Sequence, residues 1–279
     1  MMKNTVVAMT FVAMILAVMS QAQGTLVYWE DFGYAPSASI DGVGGWSNAN
    51  NTVGVSATGL NYPGLRTQGG AANRPGGAGD SGAGNYATKN PAGVADLFNS
   101  TNSVFYQTML IGDTQDPSNN SPHANLWIMQ DNGSSYWNDD GITIDTTGGA
   151  TVRVNIHKFG VGETGVSYTP TAGTKLYALR YTMKAGDDDV AFILNPDLET
   201  LADSDFDSAP TASGELTDAT NALDHFIVYF AGGGTDTLLD EIRFGTTLAD
   251  VIPGPVVPEP ASLTLLGLSG LMMLRRRHA

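Results

Sequence analysis

The segment 151–157 alternates between apolar and polar residues, and this two-residue period constrains the fold more than any other feature of the sequence. Successive side chains of an extended chain point to opposite faces, so Val152, Val154 and Ile156 share one face. The residues between them, Arg153 and Asn155, share the other face with His157. The pattern predicts a strand with one buried and one solvated face, which is typical of antiparallel sheets.

Short apolar or alternating segments recur along the chain between turn-rich stretches, whereas long helical periodicity is missing. Gly and Asp tolerate turn conformations, so residues 186–189 predict a hairpin loop. The Gly- and Ala-rich stretch 69–84 has little to bury and predicts a surface loop. Many short strands with hardly any helix favour a sandwich of two sheets. The other strongly strand-like segments are 26–32, 103–111, 125–130, 175–183, 190–194, 225–230 and 238–244. Their alternation predicts that Phe192, Leu194, Phe226, Val228 and Phe230 lie in the core.

The first 22 residues have the three parts of a secretory signal peptide. Lys3 supplies a positive start, residues 6–19 are uncharged and apolar, and Ser20-Gln21-Ala22 offers small residues to a signal peptidase. We expect cleavage after Ala22. The alternative is an N-terminal membrane anchor, although 14 apolar residues are short for a span.

The C-terminal 22 residues have an equally ordered composition. Three arginines follow the apolar run 261–274, which as a helix would reach only ~21 Å of a bilayer core of ~30 Å. Positive charge tends to stay on the cytoplasmic side, so everything upstream would lie outside. This tail resembles a PEP-CTERM sorting signal, which implies an exosortase-type processing enzyme and transient anchoring in the inner membrane; the alternative is a plain anchor. The residues that carry the resemblance are Pro258, Glu259, Pro260, Arg275, Arg276 and Arg277.

We therefore predict four parts: a signal peptide at 1–22, a sandwich domain at 23–251, a Pro/Gly linker at 252–257 and a sorting and anchor segment at 258–279. Of the 13 basic residues four lie in the terminal segments, with one of the 28 acidic residues, which leaves the body with a net charge of −18. Such a body repels nucleic acid, which is therefore excluded as a partner. The sequence has no cysteine, so thiol chemistry and cysteine metal sites are excluded.

Several short motifs of the body, in their order along the chain, resemble the laminin-G-like, concanavalin A-like jelly rolls of exported proteins. The resemblance implies an all-β, two-sheet antiparallel jelly-roll sandwich whose first and last strands are neighbours in one sheet. With the terminal segments, the expected architecture is this sandwich between a signal peptide and a C-terminal hydrophobic anchor helix. The motifs lie at 28–34, 44–46, 59–65, 192–196 and 239–247.

The sequence shows no catalytic constellation, and we predict that the protein is not an enzyme. Endo-glucanases of the concanavalin A-like fold place carboxylates at alternate positions of one strand, as Glu-x-Asp-x-x-Glu, and this pattern is absent. Glu30 and Asp31 are adjacent, as are Asp240 and Glu241, so each pair is expected on opposite strand faces. His157 lies on a polar strand face, where a solvated role is expected.

Excess carboxylate without cysteine favours a hard cation, so calcium is the candidate cofactor, although none is certain. The Asp-x-Asp-x-Asp stretch 203–207 begins like a calcium loop but lacks the later EF-hand Gly and Glu, so a solvated acidic loop is the alternative. The family resemblance implies a structural calcium where the first and last strands meet, held here by Glu30 and Asp240. The alternative is that Asp240 pairs with Arg243 or caps a turn.

Sugar binding needs exposed aromatic faces beside polar groups. Tyr136 and Trp137 lie in a polar, loop-like stretch and are the candidate glycan platform, unless Trp137 packs back onto the sandwich. Trp127 alternates with apolar neighbours in a strand and is compatible with the core. We therefore expect an exported cell-surface or matrix protein that binds extracellular polysaccharide. A structural surface protein without a small-molecule ligand is the alternative, and a polysaccharide hydrolase or lyase is a third.

Overall fold

The computed structural model describes residues 24–50, 53–73, 85–113, 123–129, 141–145, 152–158, 162–168, 173–216, 225–231 and 238–252. The predicted signal peptide and sorting segment lie outside these residues. Within them, the helices are too short for any to cross a bilayer. The strands are β1 Leu26–Glu30, β2 Ser47–Asn50, β3 Gly54–Ser56, β4 Ala71–Asn73, β5 Asn85–Lys89, β6 Val104–Asp113, β7 His123–Met129, β8 Gly141–Asp145, β9 Val152–Lys158, β10 Gly162–Tyr168, β11 Gly173–Thr182, β12 Asp188–Leu194, β13 Ala212–Leu216, β14 His225–Ala231 and β15 Leu238–Gly245. The short helices are α1 Val94–Phe98, α2 Asp205–Ser208 and α3 Leu248–Val251.

The strands form two antiparallel sheets. An eight-stranded sheet has the order β13-β12-β11-β6-β15-β4-β3, with β1 also pairing with β15. A seven-stranded sheet has the order β10-β9-β8-β7-β14-β5-β2. The first and last strands are thus neighbours in one sheet, as the family resemblance implied, and the predicted two-sheet jelly-roll sandwich is confirmed.

All eight predicted strand segments contain a strand of the structure, and the predicted hairpin joins β11 to β12, although Asp188 and Asp189 of the predicted loop belong to β12. The prediction of a loop at residues 69–84 is wrong at 71–73, which form β4. Ala71 and Ala72 are fully buried in β4, which pairs with β3 and β15. Small residues are needed here because the backbones approach closely: a Cβ on Gly70 would lie 2.2 Å from the carbonyl oxygen of Ser56. Residues 74–84 lie outside the described part.

The main core lies between the sheets. On β14, Phe226, Val228 and Phe230 are at most 1 % exposed and face the eight-stranded sheet, as predicted. The ring of Phe226 stacks on Phe244 of β15, with centroids 5.5 Å apart. Leu194, expected in the same core, is only partly buried at its margin. Strand β9 has the predicted extent, but the side chains of Val152, Val154 and Ile156 lie outside the description.

Two smaller apolar clusters cover the other face of the eight-stranded sheet. Phe206 of α2 and Val251 of α3 pack on Tyr106 and Ala178. Leu60 packs on Leu110 and Leu176 of the same face beside Leu65. This outer face is therefore largely covered by helices and loops of the chain. Among the described residues, no comparable cluster lies on the outer face of the seven-stranded sheet.

Candidate functional site

The outer face of the seven-stranded sheet is identified by residue Ile227 of β14. Its neighbours Phe226 and Val228 belong to the core between the sheets, so Ile227 lies on the opposite face. Ile227 pairs with Trp127 of β7 and with Thr88 of β5. Directly paired residues share a face, so Trp127 is placed on the outer face. The register thus places Trp127 away from the core between the sheets, on a face where its partner Ile227 is itself 1 % exposed.

The same register gathers aromatic and amide residues around Trp127. Thr143 and Asn155 continue its row towards the β10 edge of the sheet. The adjacent row holds Asn125, Tyr229 and Tyr86. These six positions, which we call the outer row, hold aromatic, amide and hydroxyl residues, the composition expected of a sugar-binding surface. The outer row is not apparent in the sequence, because its members come from strands far apart in the chain.

The predicted platform residues Tyr136 and Trp137 lie outside the described residues. They belong to the segment that joins β7 to β8, and these two strands are paired neighbours in the seven-stranded sheet. The chain therefore leaves and re-enters the sheet next to the strand that holds Trp127. Their role stays a prediction.

Glu30 ends β1 as a buried carboxylate in the core between the sheets. Its Oε2 accepts hydrogen bonds from Trp46 Nε1 at 3.0 Å and forms an ion pair with Lys89 Nζ at 2.6 Å. The hydroxyl groups of Tyr28 and Tyr34 donate to the same oxygen at 3.1 and 3.2 Å. Burial, together with the Glu30 charge, raises the pKa of both tyrosines, so they remain protonated donors. This network joins β1 of one sheet to β5 of the other.

Asp240 is also fully buried but lies on the opposite face of its sheet. Glu30 pairs with Ile242, which belongs to the core between the sheets, whereas Asp240 pairs with Leu110 of the outer cluster. Asp240 accepts hydrogen bonds from the backbone N–H of Leu60 and of Glu241, both at 2.8 Å. The structure therefore does not bring Glu30 and Asp240 together, and a calcium ion bridging them does not match the geometry. Asp240 instead fastens a loop, close to the alternative of a turn cap.

A bulge in β15 alters the alternation expected for Asp240 and Glu241. Between Asp240 and Arg243 the strand has one residue more than β6, and Glu241 adopts a left-handed φ of 53°. Both carboxylates consequently lie on the outer face, so the prediction of opposite faces is wrong here. Burial and the charge of Glu241 raise the pKa of Asp240 to about 8, although its two backbone hydrogen bonds oppose this shift.

Glu241 forms the ion pair that sequence analysis considered for Asp240. Arg243 Nη2 lies 2.6 Å from Glu241 Oε2, and both side chains are nearly or fully buried. Trp29 Nε1 donates to the same carboxylate at 2.8 Å, and the Arg243 guanidinium lies 4.9 Å from the Trp29 ring centroid. The sequence signal for this arrangement is that Glu241 and Arg243 are two residues apart in one strand.

The acidic stretch 203–207 is organised by Arg180 of β11. Arg180 forms ion pairs with Asp203 and Asp207, and its guanidinium packs 5.6 Å from the ring centroid of buried Phe206. Hydrogen bonding to Arg180 lowers the pKa of Asp207. Asp203 and Asp207 keep most of their side-chain surface in water, which agrees with a solvated acidic loop.

A pocket of about 320 Å³ adjoins this arginine on the outer face of the eight-stranded sheet. Asp189 of β12 and Glu215 of β13 line it and are directly paired across the two strands. Asp189 also forms an ion pair of 2.5 Å with Lys184. Within the described ranges, no group of three or more acidic or histidine side chains is arranged to hold a metal ion.

Comparison with known proteins supports the fold and nothing finer. No family model matches the chain, and no similar sequence is found among curated proteins. The globular domain of T. cruzi calreticulin aligns with a TM-score of 0.51 and 12 % identity, over 82 % of this chain and 90 % of that one. An endo-1,3-beta-glucanase from Streptomyces sioyaensis gives 0.45 at 12 % identity, over 81 % and 97 %. Lectin II from Ulex europaeus gives 0.43 at 11 %, over 81 % and 100 %. The chain thus has a concanavalin A-like jelly-roll fold.

Proposed function

We propose that this protein is an exported, non-enzymatic module that binds extracellular polysaccharide on the outer face of its seven-stranded sheet. The placement of Trp127 on that face carries the proposal. A sheet face that combines aromatic, amide and hydroxyl residues suits an extended chain of sugars, since rings pack on aromatic groups and sugar hydroxyl groups bond to amides and hydroxyls. The outer row supplies both kinds of group.

The predicted terminal segments support an extracellular role. A signal peptide cleaved after Ala22 and a tail that resembles a PEP-CTERM signal would send the domain through the inner membrane. An exosortase-type enzyme would then release it to the cell surface or matrix. The strongly acidic body suits a soluble extracellular protein in that setting.

A non-enzymatic role is supported by the burial of the carboxylates at the end of β1 and in the bulge of β15. Asp240 and Glu241 share a face but are fully buried, and Glu30 is 2 % exposed. A glycosidic bond could not reach Asp240 without opening the loop at Leu60, whose backbone N–H bonds to it. The alternative without a glycan ligand is a structural surface protein.

A polysaccharide hydrolase is the second alternative, favoured by the facing carboxylates Asp189 and Glu215 in the pocket of about 320 Å³. Retaining hydrolysis needs two carboxyl groups about 5 Å apart and open to the substrate. The ion pair of Asp189 with Lys184 argues against a free nucleophile there. Polysaccharide turnover that Glu215→Gln abolishes would establish the hydrolase and refute the binding module.

A glycan array tests the proposal. The protein applied to the array is the form that its native host exports. We expect binding to a defined set of polysaccharides, and Trp127→Ala should weaken it by roughly tenfold or more, equivalent to about 1.4 kcal/mol. Trp127→Phe keeps a ring and should retain part of the affinity. Val104→Ala, which changes an exposed side chain at the end of β6, is the control. An array without any binding would favour the structural alternative.

Calcium binding stays a prediction, now without the bridging pair Glu30 and Asp240. A ligand selective for the folded state raises its thermal midpoint. Unfolding curves recorded with calcium and with a chelator would coincide if the domain holds no calcium.

A further inference from the structure

Trp29 of β1 is a ring fixed in position but open to solvent. It is 37 % exposed, whereas the two groups that hold it, Glu241 and Arg243, are 0 % and 4 % exposed. The Glu241 carboxylate binds the indole N–H at one edge, and the Arg243 guanidinium covers one ring face. The ring therefore presents a surface whose orientation is set before any ligand arrives.

The groups that hold the Trp29 ring cost folding free energy. Glu241 has a left-handed backbone, which L-residues other than glycine rarely adopt, and its charge is buried. A bulge re-aims a side chain, and here it aims Glu241 at Trp29 and Arg243. Strain of this kind is frequently found where a binding surface must be held rigid.

Polar side chains lie beside the ring through the same anchors. Gln68 N–H donates to Glu241 Oε1 at 2.6 Å, and the carbonyl of Arg66 accepts from Arg243. The Arg66 side chain is exposed. With its amide oxygen turned towards Arg66, Gln68 accepts from Arg66 Nε and Nη2 at 3.0 Å each. The Arg66 guanidinium is thereby oriented next to the site.

Leu26 extends the apolar part of this surface. It is 41 % exposed, and it pairs with Gly245, two positions from the Arg243 that pairs with Trp29. A bulge between Leu26 and Tyr28 keeps Leu26 and Trp29 on one face. Leu26 and Trp29 thus lie on one face of β1, and the segment of Arg66 and Gln68 is bonded to the two groups that hold the Trp29 ring.

We propose that Leu26, Trp29 and Arg66 form a second binding site, for a sugar ring that carries a carboxylate, such as a uronic acid residue of a polysaccharide. The C–H face of the ring would lie on the indole and Leu26, and the carboxylate would take two hydrogen bonds from Arg66. The assignment to a sugar rests on the proposed function. The site lies on the other sheet from the outer row, so one domain could join two polysaccharide chains.

Calorimetric titration of the full chain with short galacturonate oligomers tests this site, and the methyl-esterified oligomers are the uncharged control ligand. We expect the free acids to bind about tenfold or more tightly than the esters, as a charge-assisted bidentate contact requires. Arg66→Gln should remove that preference, and Trp29→Ala should abolish binding of both. Thr174→Ala, at an exposed position of β11 that β6 and β15 separate from β1, should change nothing.

Two results would overturn the proposal: no binding of galacturonate by the unaltered chain, or a preference for the free acid that persists in Arg66→Gln. Arg66 is exposed, so its variant should fold even if Trp29→Ala does not. Trp127→Ala separates this proposal from the first one. A preference for the free acid that survives Trp127→Ala but not Arg66→Gln assigns the two sites independently, whichever of them binds neutral glycans.

Discussion

At the scale of the residue, Asp240 combines complete burial with a carboxyl group that titrates near neutral pH. Its pKa of about 8 reflects burial first and the neighbouring charge of Glu241 second. In the unfolded chain the same group titrates near 3.8. Between these two values the folded state binds the proton more strongly, so protonation stabilises it.

We therefore predict that Asp240 makes the domain less stable as the pH rises from about 4 to about 8. Its stabilising contribution is complete below the unfolded pKa and is lost as the pH passes the folded one. Asp240→Asn should flatten this part of the profile of thermal midpoint against pH.

The same variant should lower the midpoint at pH 5, because an amide oxygen cannot replace both acceptor contacts. Glu199→Gln, a change at an exposed position, is the control and should leave the slope intact. An unchanged slope in Asp240→Asn would contradict the assigned pKa.

At the scale of the element, strands were predictable because alternation is a local property of the sequence. The pattern at 225–230 defined β14 and its buried face, which the structure confirms. The bulge at Glu241 was not predictable, since it depends on one residue more in β15 than in β6. The strand at Ala71–Asn73 was not predicted for a related reason. Its residues are small because two backbones approach closely there, and small residues give no strand-like apolar pattern.

The same limit applies to the candidate sites. Trp127 was ambiguous because its own neighbours alternate regularly, and only pairing with Ile227 settles the face. Trp29, Arg66 and Arg243 are brought together by the pairing of the first strand with the last and by the loop before β4. Such long-range contacts leave almost no trace in local sequence patterns.

The link between β1 and β5 gives a prediction for Lys89→Met. The change leaves the Glu30 carboxylate buried without its cation, and losing one partner of a buried pair typically costs about 3 kcal/mol or more. Adding Glu30→Gln to the Lys89→Met variant removes the uncompensated buried charge and should restore part of the lost free energy of unfolding. Chemical denaturation measures both variants.

The matched control is Lys184→Met, which breaks the exposed ion pair with Asp189. Surface pairs contribute little, so this variant should unfold close to the unaltered protein. Equal destabilisation by Lys89→Met and Lys184→Met would show that the Glu30 network does not fasten the two sheets together.

At the scale of the whole molecule, the fold separates two surfaces. Helices α2 and α3 and the loop around Leu60 cover much of one outer face, while the outer row lies on the face of the other sheet. The Trp29 surface lies on the outer face of the eight-stranded sheet beside α3, since Arg243 contacts the Trp29 ring and also donates to the carbonyl of Val251. A domain built in this way can contact extended ligands on two sides.

Export predicts that both ends of the chain are processed. Protein isolated from its native host should begin at Gln23 and should lack most residues after Pro258-Glu259-Pro260, because signal peptidase and an exosortase-type enzyme remove them. Intact-mass measurement checks both ends. A mass that retains Arg275 and the residues up to Ala279 would indicate a permanent anchor instead.

The pairing of β1 with β15 has a mechanical consequence. Tension on the chain beyond Ile252 enters the domain through α3 and β15, which is hydrogen-bonded to β6 on one side and to β1 and β4 on the other. Pulling along this strand must shear both rows of hydrogen bonds together and cannot peel them one at a time. When the domain is anchored at its C-terminal end and a bound ligand pulls on the seven-stranded sheet, the force therefore acts in the direction in which these hydrogen bonds resist it together.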